Sequence, residues 1–264
     1  MRLGRGVPFG IGGLLVLAVL SWLTGTDLLS LLAPASQPDS GQVVERQTAP
    51  GEDPLKDMVS AVMTDVNETW TNLLGSRYQP TTVVLFTDQV DAEGCGLAES
   101  ATGPFYCPGS RKVYIDLGFY RELDRRFGAP GDFAQAYVLA HEVGHHVQAL
   151  LGIERQVRGA QQSRPDQASV LSVRMELQAD CLAGVWGHAA SRPGGRVELE
   201  TGDVEEGLQA AAAIGDDRLQ RMSTGRVAPE RFTHGSSEQR VQWFRRGLES
   251  GNPDTCDTFG TATH

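Results

Sequence analysis

Three histidines and a glutamate lie within six residues of the stretch AYVLAHEVGHHVQALLG, which runs from Ala136 to Gly152. The chain has only 6 histidines in 264 residues, so half of them lie in this one apolar segment. His141 and His145 are four residues apart, and on a helix this spacing stacks them on one face, one turn apart. Two imidazoles placed in this way can bind the same metal ion.

Glu142 lies beside the first of these histidines, about 100° further round the predicted helix. There a carboxylate can stay off the metal and still touch a water molecule bound to it. This is the HExxH pattern of zinc hydrolases, in which zinc lowers the pKa of the water and the glutamate takes its proton. The apolar surroundings favour this interpretation, because buried imidazoles need partners. His146 points away from the pair, and we interpret it as a packing residue or as a residue that supports the ligands, not as a ligand.

A catalytic zinc ion needs a third protein ligand, and the segment RMELQADCLAGVW lies about thirty residues downstream. Glu176 and Asp180 are four residues apart and share one face of a predicted helix. Glu176 is the best candidate for the third ligand, and Asp180 can accept the spare N–H of a ligand histidine. The metzincin extension needs a glycine and a third histidine at the positions of Gln148 and Leu151, so that class is excluded.

The segments HEVGHHVQ, ELQADCLAGVW, CPGSRKVYIDLGFY and THGSSEQRVQWF occur in separate parts of the chain. Together they resemble the neutral zinc metallopeptidase family, bacterial proteins with one N-terminal membrane anchor. The resemblance covers about Pro54 to Phe259. It implies a zincin-like metallopeptidase in which His141, His145 and Glu176 hold the zinc ion and Glu142 is the catalytic base.

Two further segments contain candidate site residues. His234, in RFTHGSSEQR, either stabilises the negative charge that develops on an attacked carbonyl or organises the cap of the following helix. The predicted strand KVYIDLGFY, from Lys112 to Tyr120, is either a plain core strand or the strand that lines the cleft, where an extended peptide could add to its edge. In the second case Tyr114 and Asp116 lie near the substrate.

The four cysteines are Cys95, Cys107, Cys181 and Cys256, and their spacing fits no common zinc knuckle. An even number of cysteines in an oxidising compartment predicts two disulfides. We expect the local pair Cys95–Cys107, which leaves Cys181–Cys256 to hold the C-terminus. Four buried free thiols are the alternative.

The first fifty residues differ in character from the rest. A tip with two arginines precedes an apolar run, Val7–Leu23, whose length is at the lower limit for a membrane span. We predict a cytoplasmic tip and a transmembrane anchor over residues 1–33, a flexible linker over 34–52 and a metallopeptidase domain over 53–264, outside the cytoplasm. A cleaved signal peptide is the alternative to the anchor.

The periodicity of the remaining chain predicts an α+β fold, mainly helical and zincin-like, with a small sheet beside the active-site helix. The predicted helices and strands are listed in chain order: a helix from Asp53 to Gly75, strands Thr81–Thr87 and Lys112–Tyr120, and helices at about Asp132–Leu151, Asp166–Ala190, Asp203–Met222 and Ser237–Glu249.

Three functions are compatible with these features. The first is a membrane-anchored zinc peptidase that cuts peptide or protein substrates. The second is a non-catalytic, zinc-stabilised envelope protein that binds peptides or a partner, although a structural site would close with four protein ligands and would not need Glu142. The third is hydrolysis of a non-peptide amide or ester. A net charge of −10 argues against a nucleic-acid partner. Two histidines and a carboxylate can also hold iron, but that class does not require the adjacent glutamate.

Overall fold

The computed structural model describes residues 54–99, 103–192, 197 and 199–260. The helices are α1 (Pro54–Leu74), α2 (Leu117–Arg125), α3 (Asp132–Leu150), α4 (Ile153–Ser163), α5 (Ala168–Ala190), α6 (Asp203–Ala213), α7 (Asp216–Thr224) and α8 (Ser237–Ser250). The strands are β1 (Thr82–Phe86), β2 (Gln89–Ala92), β3 (Gly96–Glu99), β4 (Phe105–Cys107) and β5 (Lys112–Asp116). Helices predominate and the sheets are small, so the predicted α+β class is confirmed.

The predicted anchor and linker, residues 1–33 and 34–52, lie outside the described residues. Of the helices within residues 54–99, 103–192 and 199–260, none combines the length and the apolar character that crossing a bilayer requires.

The larger sheet has the strand order β1-β5-β4, with β1 parallel and β4 antiparallel to the central strand β5. Strands β2 and β3 form a separate antiparallel hairpin. The strand predicted over Lys112–Tyr120 ends earlier, at Asp116. The carboxylate of Asp116 accepts a hydrogen bond from the backbone N–H of Gly118 at 2.6 Å, and this N-cap starts α2. The last four residues of the predicted strand are therefore helical.

Helix α3 is buried on almost every side and packs between α1, the sheet and α5. The apolar stripe of α1, which includes Val62, Val66 and Trp70, lies in the core as its periodicity predicts. Gly144 of α3 faces α5 so closely that an added Cβ would lie 3.0 Å from the carbonyl oxygen of Ala179. The backbones of the two helices that contain the predicted metal ligands are therefore in close contact.

Helix α8 packs against α5 in the same manner. A Cβ at Gly247 would collide with the carbonyl oxygen of Cys181, and a Cβ at Gly184 with that of Phe244. These glycines let the two helix backbones touch, which brings the buried side of α8 next to the α5 segment that contains Asp180.

One predicted helix is wrong, and one observed helix was not predicted. The single helix predicted over Asp203–Met222 is wrong, because the chain turns at Gly215 between α6 and α7. Gly215 packs directly against Ser237 at the start of α8, where a side chain would not fit. Helix α4 follows Gly152, whose left-handed backbone (φ 75°) ends α3. Helix α4 is not among the helices predicted from the sequence.

Both disulfides have the predicted pairing. Cys95–Cys107 joins the turn of the β2–β3 hairpin to β4, and Cys181–Cys256 joins α5 to the short 3-10 turn Pro253–Cys256. Within the part of the chain that the structure describes, no cysteine is free.

Candidate metal centre

His141 and His145 of α3 and Glu176 of α5 meet where the two helices pack, as the sequence predicts. Each offers one ligand atom, and these atoms all lie within 4.8 Å of one another. The Nε2 atom of His141 lies 3.2 Å from one carboxylate oxygen of Glu176, and the Nε2 atom of His145 lies 3.5 Å from the other. Burial alone would raise the pKa of Glu176, but the two histidines hold it well below its usual value, so the group stays a carboxylate.

The chemistry of these donors fits zinc. Zinc binds imidazole nitrogen and carboxylate oxygen at about 2.0–2.2 Å in a tetrahedral arrangement, which places neighbouring ligand atoms about 3.3 Å apart. The 3.2 Å between Nε2 of His141 and its Glu176 oxygen is close to this value, and Nε2 of His145 lies 3.5 Å from the second oxygen of the same carboxylate. Three protein ligands leave the fourth tetrahedral position for water or substrate, as in catalytic zinc sites.

Asp180 supports His141 from behind. Its Oδ1 atom lies 2.9 Å from Nδ1 of His141, and because a carboxylate only accepts hydrogen bonds, Nδ1 is the donor and Nε2 faces the metal position. Tyr137 and Arg240 donate to the same carboxylate. Burial lowers the pKa of His141, but the charge and hydrogen bond of Asp180 outweigh it and raise this pKa to about 10. Burial would raise the pKa of Asp180, and the charges of Arg240 and His141 lower it.

His145 is oriented by an amide side chain and not by a carboxylate. Its Nδ1 atom lies 2.8 Å from Oε1 of Gln148, a completely buried glutamine three residues further along α3. The two ligand histidines are thus oriented by a carboxylate in one case and by a neutral amide in the other.

The three candidate ligands line a cleft of about 1040 Å³. Its walls come from β4, from helices α2, α3, α4 and α5, and from the region between α6 and α8. Glu142 lines the cleft beside the histidines and is 7% exposed. The predicted base therefore faces the same space as the metal position.

His234 lines the same cleft from a different part of the chain, just before α8, and its side chain is about half exposed. Its Nδ1 atom lies 3.1 Å from Oδ1 of Asp216, the first residue of α7. The other carboxylate oxygen of Asp216 accepts the backbone N–H groups of residues 233–235. Asp216 thus holds both the loop and the ring of His234 in place.

Residues 2–259 match the family described as "Putative neutral zinc metallopeptidase". The chain belongs to this family. Zinc is the cofactor that the family implies, and His141, His145 and Glu176 are its candidate ligands.

Relatives that resemble the chain extend over most of its length. It is 50% identical to the uncharacterized protein YpfJ of Escherichia coli K12, over 97% of this chain and 90% of the relative. It is 46% identical to the uncharacterized proteins Mb2605 of Mycobacterium bovis and Rv2575 of Mycobacterium tuberculosis, over 77% of this chain and 70% of each relative. No solved structure matches the chain.

The strand proposed to bind peptide is not available for pairing. Strand β5 is paired on both sides, by β1 and β4, so the prediction that an extended peptide adds to its edge is wrong. Tyr114 is 2% exposed and stacks on Phe105 within a small core cluster, and it does not itself line the cleft. Asp116 does line the cleft, but its carboxylate caps α2 and accepts the backbone N–H of Asp88 at 3.0 Å.

His146 packs on the side of α3 away from the metal position, as predicted. It is 1% exposed and lies between the hydroxyl of Tyr106, 2.9 Å from Nδ1, and the carbonyl of Gln79, 2.6 Å from Nε2. A carbonyl only accepts, so Nε2 donates and Nδ1 accepts from Tyr106. His146 therefore ties β4 and the loop before β1 to the helix that contains the ligands.

Four residues of the site were not identified from the sequence: Tyr137, Gln148, Asp216 and Arg240. Tyr137 and Gln148 had a usable signal, because they lie four residues before His141 and three after His145 on the same helix. The other two reach the site from α7 and α8, and no local spacing links them to the HExxH motif.

Proposed function

We propose that this protein is a membrane-anchored metallopeptidase that hydrolyses peptide bonds outside the cytoplasm, with Glu142 as the base. One observation carries the proposal: Glu142 faces the same cleft as three ligands that leave one metal position open. A purely structural zinc site would be closed by four protein ligands. Bound zinc supplies a Lewis acid that activates water and polarises a carbonyl.

In this mechanism Glu142 accepts the proton of the attacking water and then delivers it to the nitrogen of the leaving amine. Its low exposure keeps bulk water away from that proton. Asp180 and Gln148 hold the ligand histidines so that both Nε2 atoms face the metal position. General-base catalysis of this kind contributes about 10²–10⁴-fold to the rate.

We assign His234 to the negative charge that develops on the attacked carbonyl oxygen. It lines the same cleft as the α3 ligands, and Asp216 orients its ring. The hydrogen bond to Asp216 raises the pKa of His234, which favours the protonated form that stabilises an oxyanion best.

Substrate main chain is expected to lie along β4. Among the described strands, β4 is at an edge of the larger sheet, and residues 103–106 line the cleft. An extended peptide can pair with such an edge through backbone hydrogen bonds. Methylation of the backbone nitrogens of a peptide substrate is therefore expected to raise its KM.

The proposed location outside the cytoplasm is supported by other features of the chain. The apolar run Val7–Leu23 follows a basic tip, and two disulfides are typical of oxidising compartments. Protease digestion of intact and permeabilised cells tests it: a chain that is cleaved in cells whose cytoplasmic proteins survive faces outward. A chain that is protected until the cytoplasmic membrane is broken would contradict the location and leave the chemistry unaffected.

The chemistry is tested on the full chain in detergent micelles. Wild type, Glu142→Gln and the control Glu205→Gln, an exposed glutamate of α6, are compared for zinc content and for cleavage of an unfolded protein. We expect equal zinc in all three and cleavage by wild type and Glu205→Gln alone. Zinc without cleavage in every variant would favour the non-catalytic binding protein or an ester or non-peptide amide as substrate. Absence of zinc would overturn the site.

A further inference from the structure

The amide group of Gln178 has only one possible orientation. Its Nε2 atom lies 2.9 Å from the backbone carbonyl oxygen of Cys256. A carbonyl accepts and never donates, so this position must be the NH₂ end of the amide. Gln178 is 6% exposed and Cys256 is 1% exposed, which leaves little room for water to substitute for either group.

This orientation and the backbone carbonyl of Met175 together determine the orientation of the next amide, that of Gln148. Oε1 of Gln178 faces Nε2 of Gln148 at 3.0 Å, and the same Nε2 donates to the carbonyl of Met175 at 2.8 Å. Both hydrogens of the Gln148 amide are thereby used on acceptors. Its Oε1 atom is left to face Nδ1 of His145 at 2.8 Å, where it can only accept.

We propose that Gln148 and Gln178 form a directional amide relay that fixes the tautomer of His145 and thereby sets the affinity of the zinc site. The relay runs from the Cys256 carbonyl through Gln178 and Gln148 to His145. It forces the proton of His145 onto Nδ1 and leaves the Nε2 lone pair for the metal. The inference rests on the proposed metal site, and Gln148 and Gln178 act in it as positioning residues.

The disulfide fixes the start of the relay. Cys256 is joined to Cys181, which follows Asp180 on α5. The carbonyl that orients Gln178 is therefore held against the helix that contains both Glu176 and Asp180. The supports of both ligand histidines thus depend on the same few residues of α5.

The experiment measures the zinc dissociation constant by competition with a chromophoric chelator, on the full chain with its disulfides intact. The variants are Gln148→Met, Gln178→Met and their combination, because methionine keeps the volume and removes the amide. The control is Thr258→Val, which removes one buried hydrogen bond, to the carbonyl of Arg174, from the same C-terminal segment without touching the relay.

We expect Gln148→Met to weaken zinc binding about 10- to 100-fold, the usual effect of losing the partner of a ligand histidine. Gln178→Met should weaken it less, because Gln148 stays and the carbonyl of Met175 still accepts one hydrogen of its amide, although the second acceptor is lost. The double variant should match Gln148→Met alone, since residues in one chain of contacts are not additive. Thr258→Val should bind zinc as the wild type does. In the zinc-free chain, at a pH high enough for a neutral imidazole, the ¹⁵N spectrum of His145 should show Nδ1–H in the wild type and mixed tautomers in Gln148→Met.

A wild-type affinity in folded Gln148→Met, or additive losses in the double variant, would overturn the relay. If Gln148→Met does not fold, an unchanged affinity in Gln178→Met would overturn it as well. A wild-type chain that binds no zinc would instead overturn the metal site, so failure of the relay and failure of the proposed function give different results.

Discussion

Arg240 donates two hydrogen bonds to the carboxylate of Asp180, from Nε to Oδ2 at 2.9 Å and from Nη2 to Oδ1 at 2.8 Å. The arginine is 2% exposed and the aspartate is fully buried. Oδ1 also accepts hydrogen bonds from Tyr137 and from the ligand His141. The orientation of His141 therefore depends on an arginine of the last helix, 99 residues further along the chain.

Replacing Arg240 with methionine should destabilise the fold by about 3–5 kcal/mol, because it leaves the charge of Asp180 buried without its partner. Urea denaturation in the presence of a chelator measures this loss without a contribution from metal binding. The exposed Arg245 of the same helix offers a matched control, and Arg245→Met should cost less than about 0.5 kcal/mol. Equal losses in the two variants would show that the Asp180 pair contributes nothing.

The pH profile should reveal the state of His234. The hydrogen bond that His234 donates to Asp216 raises the pKa of His234 above 6.5 and the charge of Glu176 adds to this, while burial and Arg240 act in the opposite direction. A group with a raised pKa keeps its proton to higher pH, so activity that uses the imidazolium falls as pH rises through that raised value. We expect the alkaline limb of kcat/KM to move to lower pH in Asp216→Asn. If the alkaline limb does not move in Asp216→Asn, the limb reports the titration of a group other than His234.

His234→Gln should remove this limb and lower kcat by about 10²–10³-fold, the usual effect of losing one oxyanion donor. Zinc content should not change, because His234 is not one of the candidate ligands. Zinc loss in this variant would mean that the residue holds the metal.

Adjacent histidines should respond in opposite ways to the same substitution. His145→Gln should lose zinc, whereas His146→Gln should keep it and lose about 1–3 kcal/mol of stability, since Tyr106 and Gln79 lose a buried partner. Metal analysis and thermal unfolding of both variants test this. Zinc loss in His146→Gln with an intact fold would contradict the assignment.

The two disulfides should differ in their contributions to stability and to zinc binding. By chain entropy, replacing Cys95 and Cys107 with serine should cost about 3 kcal/mol, and replacing Cys181 and Cys256 about 4.5 kcal/mol, because the second bridge closes the longer loop. Only the second pair should also weaken zinc binding, because Cys256 begins the amide relay. Equal effects on zinc in both serine pairs would point to a general loosening of the fold.

The sequence predicts the part of this site that depends on helical spacing. His141, Glu142 and His145 lie on one helix, and Glu176 and Asp180 lie on another, so the i, i+4 rule places each group without knowledge of the fold. To predict that these two helices lie side by side required one further assumption, that a third ligand completes the metal site.

Long-range packing decides what the sequence does not predict. Arg240 reaches the site because glycines on α5 and α8 let the two backbones touch, and nothing local in the sequence marks its partner Asp180. The pairing of β5 on both sides follows from the position of β4, which contributes only three residues. The break at Gly215 likewise depends on contact with Ser237, a residue of another helix.

The position of α8 in the chain also has a consequence for biosynthesis. A ribosome completes α3 and α5, with every candidate zinc ligand, before it makes Arg240 and Cys256. Until then the carboxylate of Asp180 has no arginine partner and the amide of Gln178 has no carbonyl acceptor. We therefore expect the metal site to reach its final order only when the last helix has docked.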